Sequence, residues 1–276
     1  MKPHYLPLAA GRLRYLDNQG NGPTLVFCHD SCSAATSFSA QFAALGSRHR
    51  LIALDLLGHG GSQPAANPHQ AYSFAGFAQS LVGAVELLGL EEYVVVGHGL
   101  GGHAALEALP RLHGLLGLVL EAAPPFNAGS AERVFRPDPG EGLAFQASLK
   151  LNQVSRLAAA FVNATRLPGH LLAQVETFIH ATDPQVRSQL GSSLTAGRHA
   201  DHCQRLRDSG VPALLLQGQD DAFIDWRHCT APDSFPGCNL GIELFESCGH
   251  TPHIEQAERF NALLEAFVAG IAAKTR

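Results

Sequence analysis

Tyr93-Val94-Val95-Val96 runs directly into Gly97-His98-Gly99-Leu100-Gly101-Gly102, and then into the helix-prone stretch Ala104 to Leu109. A short β-branched apolar run suits a strand buried on both faces. The glycines that follow supply a tight turn and close backbone approach. Parallel strands need a crossover connection, usually a helix, so strand, abrupt turn and helix in this order point to a parallel sheet.

The rest of the chain repeats that theme. Leu13 to Leu16 reads as an early edge strand. Thr24 to Cys28 and Arg50 to Asp55 read as buried strands, the second followed by the turn-rich Gly58-His59-Gly60-Gly61-Ser62. Tyr72 to Leu88 is predicted helical, with Phe74, Phe77, Leu81, Val85 and Leu88 on one face. Leu116 to Leu120 is strand again. From 124 to 209 no strand-like run occurs; helical stretches carry Leu151, Val154, Leu157 and Phe161, then Leu171, Leu172, Val175, Phe178 and Ile179, then Val186, Leu190 and Leu194. Strands resume at Val211 to Leu216 and at Leu240 to Phe245, and a helix closes the chain from about Glu255 to Ala269. The expected fold is α/β: a mostly parallel sheet with helices on both faces, formed by residues 1–123 and 210–276, with a helical cap at 124–209.

With 276 residues, 46% hydrophobic and 16% charged, a large core is within reach and disorder is not expected. The net charge of −5 and the scattered Lys and Arg give no basis for a nucleic-acid partner. No run reaches the ~18 apolar residues of a membrane helix, and Met1 to Ala10 lacks the apolar segment of a signal peptide. The chain therefore reads as soluble and cytoplasmic, with no membrane partner. Six cysteines without a CxxC pair read as free thiols, a Cys229–Cys238 bridge being the alternative.

Four local signals fall in one order: Cys28-His29-Asp30-Ser31 at a strand end; Gly97-His98-Gly99-Leu100-Gly101-Gly102 between strand and helix; Gly218-Gln219-Asp220-Asp221 after a strand; and Cys248-Gly249-His250-Thr251-Pro252-His253 before the last helix. With Asp55-Leu56-Leu57-Gly58-His59-Gly60-Gly61-Ser62, this set resembles the α/β-hydrolase family over nearly the whole chain. The family's nucleophile elbow, G-x-S-x-G, is matched by Gly97-His98-Gly99-Leu100-Gly101, with glycine at the nucleophile position. The resemblance implies Asp221 as the acid and His250 as the base. It implies the backbone N–H groups of Leu100 and Ser31 as an oxyanion hole. Asp220 and Glu121 are the competing carboxylates. The oxyanion-loop position that is glycine across the family is Asp30 here.

Within the family, Gly99-Leu100-Gly101-Gly102-His103, Ala123-Pro124-Pro125, Tyr72-Ser73-Phe74 and Thr182-Asp183-Pro184-Gln185-Val186-Arg187 resemble the metal-independent N-acyl-homoserine lactonases. That implies a quorum-quenching hydrolase that opens a lactone carrying an acyl tail, held under the cap. His29, Asp30, His98 and Phe126 are the candidate substrate-binding residues, and Phe135, Phe145 and Phe161 candidate pocket aromatics. His199-Ala200-Asp201-His202 is only a fragment of a lactonase zinc motif, so neither metal nor organic cofactor is expected.

Without a hydroxyl at Gly99 the covalent serine route is closed. Three readings stay open: an ester or lactone hydrolase disarmed by a deliberate serine-to-glycine change, a catalytically silent ligand-binding member, and an enzyme that uses another nucleophile or another chemistry. Cys32 and Cys248 are the thiols nearest the expected site. An intact Asp221 and His250 favour an enzyme.

Overall fold

The computed structural model describes residues 2–136 and 142–274. Eight strands run in chain order: β1 (Pro3–Leu8), β2 (Gly11–Asp17), β3 (Thr24–Cys28), β4 (Arg50–Leu54), β5 (Tyr93–His98), β6 (Leu115–Glu121), β7 (Ala213–Gly218) and β8 (Leu240–Phe245). They form one sheet in the order β1-β2-β4-β3-β5-β6-β7-β8. β2 pairs antiparallel with β1 and with β4, and every later pairing is parallel. The strand expected at the edge is therefore interior. Pro3–Leu8 takes the edge instead, where proline's missing N–H leaves no ladder bond unmade.

The middles of the central strands are apolar because both faces are covered. Leu25 and Phe27 face one core, and Val26 and Cys28 the other. Helices α1 (Ser39–Leu45) and α8 (Ala257–Lys274) cover the first face through Leu45, Phe260, Leu264 and Val268. Helices α2 (Phe74–Leu87) and α3 (Leu100–Ala108) cover the second through Phe74, Phe77, Leu81 and Ala104. Ser73 caps α2 by accepting the Gly76 N–H at 3.1 Å, so that helix starts just inside the predicted span. α3 begins at Leu100, four residues earlier than its sequence suggests, because the glycine turn is its first turn.

Between β6 and β7 lie α4 (Leu151–Phe161), α5 (Gly169–Ala181), α6 (Pro184–Thr195) and α7 (His202–Ser209). Among the described residues of 124–209 no strand forms; Phe135 makes a single bridge to Ile224. Residues 137–141 of that span lie outside the described residues. α4 and α5 build a small core of their own from Val154, Leu157, Val175 and Ile179, joined by Leu143 and Cys32. α6 and α7 insert Val186, Leu190 and Leu206 into the main core.

The junction is pinned by the motif around Asp183. Its N–H donates to the Gly58 carbonyl at 2.8 Å, and its Oδ2 accepts from the Tyr72 hydroxyl at 2.7 Å. Arg187 donates to the carbonyls of Gln146 and Ala147 at 2.8 and 2.7 Å. Of these residues, read from sequence as part of a lactonase-like pattern, Asp183 ties the helical layer to the sheet domain and Arg187 braces residues 146–147 within that layer.

All six cysteines are free, Cys229 and Cys238 included. Among the described residues no helix is long and apolar enough to cross a membrane.

Candidate active site

Strand register brings the four sequence signals to one edge of the sheet. Cys28 pairs with Gly97, His98 with Glu121, and Gly218 with Phe245, so the carboxyl ends of β3, β5, β6 and β7 lie level. In open α/β sheets ligands bind beyond such ends.

Gly99 forms the elbow, with φ 47° and ψ −113° as it caps α3. That is a left-handed, strained conformation for any residue with a side chain. The turn is compressed from behind: a Cβ on Gly101 would lie 2.2 Å from the Cys28 carbonyl oxygen. Only glycine tolerates that approach.

His250 follows β8 and lies buried at the elbow. Its Nδ1–H donates to Asp221 Oδ2 at 2.8 Å. Asp221, fully buried, also accepts from Gln217 Nε2 at 2.8 Å and from the N–H groups of Phe223 and Ile224 at 2.8 and 3.1 Å. The carboxylate is thus fixed on every side before it meets the imidazole. Asp220 bonds Asn163 instead, and Glu121 takes both the N–H and the ring Nδ1 of His253, at 2.7 and 2.8 Å. Of the three carboxylates weighed from sequence, Asp221 is the one that reaches His250.

The side chain that meets the other nitrogen of His250 is Asp30. Its Oδ2 lies 3.2 Å from His250 Nε2, and its Oδ1 accepts the Leu100 N–H at 2.5 Å. A Cβ on Gly99 would fall 2.1 Å from Asp30 Oδ1 and 2.2 Å from its Cγ. Asp30 therefore occupies the volume that a nucleophile's side chain would fill, and it engages the elbow N–H expected to be open as an oxyanion donor. From sequence, Asp30 reads as a substrate contact and as a departure from the family's oxyanion-loop glycine. The signal for more was present in the coincidence of an aspartate at 30 with a glycine at 99.

Burial disfavours ionisation of Asp30, but the hydrogen bond and charge of His250 and the Leu100 N–H hold its carboxyl well below the ordinary range. Burial likewise opposes charge on His250, yet the facing carboxylates of Asp221 and Asp30 outweigh it and raise His250 to about 10. The site at rest is an imidazolium between two carboxylates.

The other candidates divide. Phe126 lines the cavity above the site, with Phe135, Phe145 and Phe161. His29 is sealed into its own loop: Nδ1–H donates to the Asp30 carbonyl at 2.7 Å and Nε2 accepts the Leu56 N–H at 3.0 Å. His98 donates from Nε2 to the His250 carbonyl at 2.8 Å, and burial lowers it to about 4, so it is neutral and supports the backbone of His250. Ser31 lines the cavity, and its hydroxyl faces Cys32 Sγ at 3.9 Å. Burial pushes the thiols of Cys32 and Cys248 up, so neither is a thiolate near neutral pH.

The cavity has a volume of about 330 Å³. Asp30, Gly99 and His250 lie at its base, and Phe74, Phe126, Phe135, Phe161, Leu190, Leu194 and Phe223 supply an apolar wall. His103 joins that wall, fully buried against Phe74 and Phe126, with ring centroids 4.9 and 5.3 Å away; burial keeps it neutral. An enclosure of this size and polarity suits one small, mostly apolar molecule.

Among the described residues, Asp30, His98 and His250 bring potential metal ligands within 4.8 Å of one another, as do His98, Glu121 and His253. In each set two of the three already pair with one another. The zinc-like fragment is dispersed: His199 lines the cavity, Asp201 caps α7, and His202 faces Glu107 at 3.4 Å.

A crossed parallel sheet, a strained strand-to-helix elbow and a carboxylate-held histidine at the sheet's carboxyl edge define the α/β-hydrolase class. The family model described as "Alpha/beta hydrolase family" matches residues 25–263, and the chain belongs to that family. It is 28% identical to an uncharacterized protein of Mycobacterium tuberculosis, over 90% of this chain and 76% of that protein. It is also 28% identical to 2-hydroxymuconate semialdehyde hydrolase of Pseudomonas putida, over 95% of this chain and 92% of the hydrolase. In structure it resembles N-acyl homoserine lactonase AidH, seen as a serine-to-glycine mutant complexed with N-hexanoyl homoserine lactone. The TM-score is 0.88 at 25% identity, over 98% of both chains.

Proposed function

We propose that this is a hydrolase-type site for a small ester or lactone with an acyl tail, N-acyl homoserine lactones first among them, in which the serine route is closed. His250 is the base and acid, Asp221 its orienting carboxylate, and Gly99 the vacated nucleophile position. The observation that carries this reading is the 2.8 Å His250–Asp221 pair at the base of an apolar cavity, directly beside the elbow. The likeness to a lactonase with a bound acyl lactone supports the substrate class.

The contact between Asp30 and position 99 makes an isolated engineered serine-to-glycine change a poor account of Gly99. A serine there needs Asp30 to leave. The decisive test replaces both residues. Gly99→Ser with Asp30→Gly is expected to hydrolyse acyl homoserine lactones or aryl esters at least ~10³-fold faster than the unaltered protein, the scale on which a triad member acts. No gain in a folded double variant rejects the reading. It would leave the second one, a ligand-binding member without turnover, which the Asp30-filled Leu100 N–H favours.

A further inference from the structure

We propose that Asp30 is itself the nucleophile of the unaltered protein, attacking a saturated carbon that carries a leaving group. This rests on His250 and Asp221 being the acid–base pair proposed above, and it goes beyond that reading by assigning a different electrophile.

Three observations converge. Asp30 Oδ1 and Cγ fill the space of a side chain on Gly99. Asp30 Oδ2 meets His250 Nε2, the atom that would otherwise serve a serine hydroxyl. Oδ1 sits on the Leu100 N–H at the start of α3. Asp30 also lines the cavity, with 9% of its side chain exposed, so a ligand there meets it. A carboxylate is a competent covalent nucleophile when held and ionised. Glycine at 99 and aspartate at 30 are thus two halves of one exchange: the side chain lost from the elbow is replaced from the neighbouring loop.

The occupied N–H decides the class of substrate. Attack on an acyl carbonyl creates an oxyanion on the substrate, and the donor that would stabilise it is already engaged by Oδ1. Displacement at a saturated carbon develops no such oxyanion. Oδ2 attacks the carbon, the bond to the leaving group breaks, and that group departs as an anion with the bonding electrons. Asp30 is then a neutral alkyl ester. One of the two carboxylates that hold the proton on His250 has lost its charge, so the imidazolium releases that proton to solvent. Neutral His250 next takes a proton from water, and the hydroxide attacks Asp30 Cγ. The oxyanion forms on Oδ1, where the Leu100 N–H already points. Collapse breaks the Cγ–Oδ2 bond, and His250 protonates the leaving alkoxide. The sum is alkyl halide plus water giving alcohol plus hydrogen halide, with Asp30 regenerated and one of its oxygens now from water.

The test uses 1-chlorohexane with the full chain in ¹⁸O-water. Chloride release with ¹⁸O entering the peptide that contains Asp30 is expected. In His250→Gln the second step is blocked, and a hexyl group accumulates on Asp30 as an ester that hydroxylamine cleaves, unlike a thioether on Cys32. Asp30→Asn loses both signals. Chloride release without label in Asp30 overturns the proposal. So does the absence of both chloride release and adduct. The double-variant ester assay above does not use the Asp30 carboxylate, so failure of the nucleophile assignment and failure of the hydrolase-site reading are seen separately.

Discussion

Asp30 and Gly99 share one side-chain volume: a Cβ on Gly99 would lie 2.1 Å from Asp30 Oδ1. A serine at position 99 therefore fits only if Asp30 moves or is shortened. Most of the testable behaviour of the site follows from that exclusion and from the charges around it.

Gly99→Ser alone is expected to destabilise the protein by about 1–3 kcal/mol, combining elbow strain with a forced displacement of Asp30. Asp30→Gly added to it recovers most of that loss, because the overlapping carboxylate is gone. A double-mutant cycle on denaturant midpoints measures the coupling. Additive effects of the two changes would contradict the shared volume.

His250 is raised from 6.5 to about 10 in the folded chain by Asp221 and Asp30 against the effect of burial. A raised folded value means that its stabilising contribution is fully present below about pH 6.5 and is lost as pH rises through about 10. Asp30→Asn removes one of the two carboxylates and lowers the His250 value. The stability of that variant therefore falls less between pH 7 and 10 than that of the unaltered protein, a window set by the same linkage. Ring-proton NMR titration reads the shift directly.

Asp221→Ala leaves the Gln217 amide and the Phe223 and Ile224 N–H groups without their shared acceptor, and exposes His250 to Asp30 alone. Breaking a buried charge pair costs about 3–5 kcal/mol. Asp221→Asn keeps the shape and retains more of the stability. It loses about 10⁴-fold of any turnover that depends on the His250 tautomer. Thermal unfolding and kinetics separate the two effects.

Tyr72→Phe removes the hydroxyl that donates to Asp183 at 2.7 Å and accepts the Ala65 N–H at 2.9 Å. The buried N–H loses its partner, for about 1–3 kcal/mol. Because Asp183 also binds Gly58, the loss loosens the helical layer over the cavity. Ligand affinity is expected to fall along with the urea midpoint, and an unchanged affinity would show that the strap does not shape the pocket.

Much of the fold was legible in the chain. Thr24 to Cys28 and Leu240 to Phe245 match their strands end for end, because turn residues bracket compact apolar runs. Pro3–Leu8 escaped notice because an edge strand exposed on one side carries no strong apolar run. The spacing of Gly99, Asp221 and His250 singled out residues that the fold does bring together, since each lies just past a strand whose end the parallel register aligns.

What only tertiary structure decided is which side chain fills the elbow. Gly99 and Asp30 are far apart in sequence and follow different strands, and no local propensity couples them. The β3–β5 register levels Cys28 with Gly97 and so brings Asp30 onto the empty position. His98 and His103 are sequence neighbours of that glycine, yet one packs beneath the His250 backbone and the other joins the cavity wall. Patterning dictates which residues form strands and turns. The direction each side chain takes at the end of a strand depends on contacts that exist only once the sheet has closed, and here that contact places an ionised carboxylate where the sequence had left a gap.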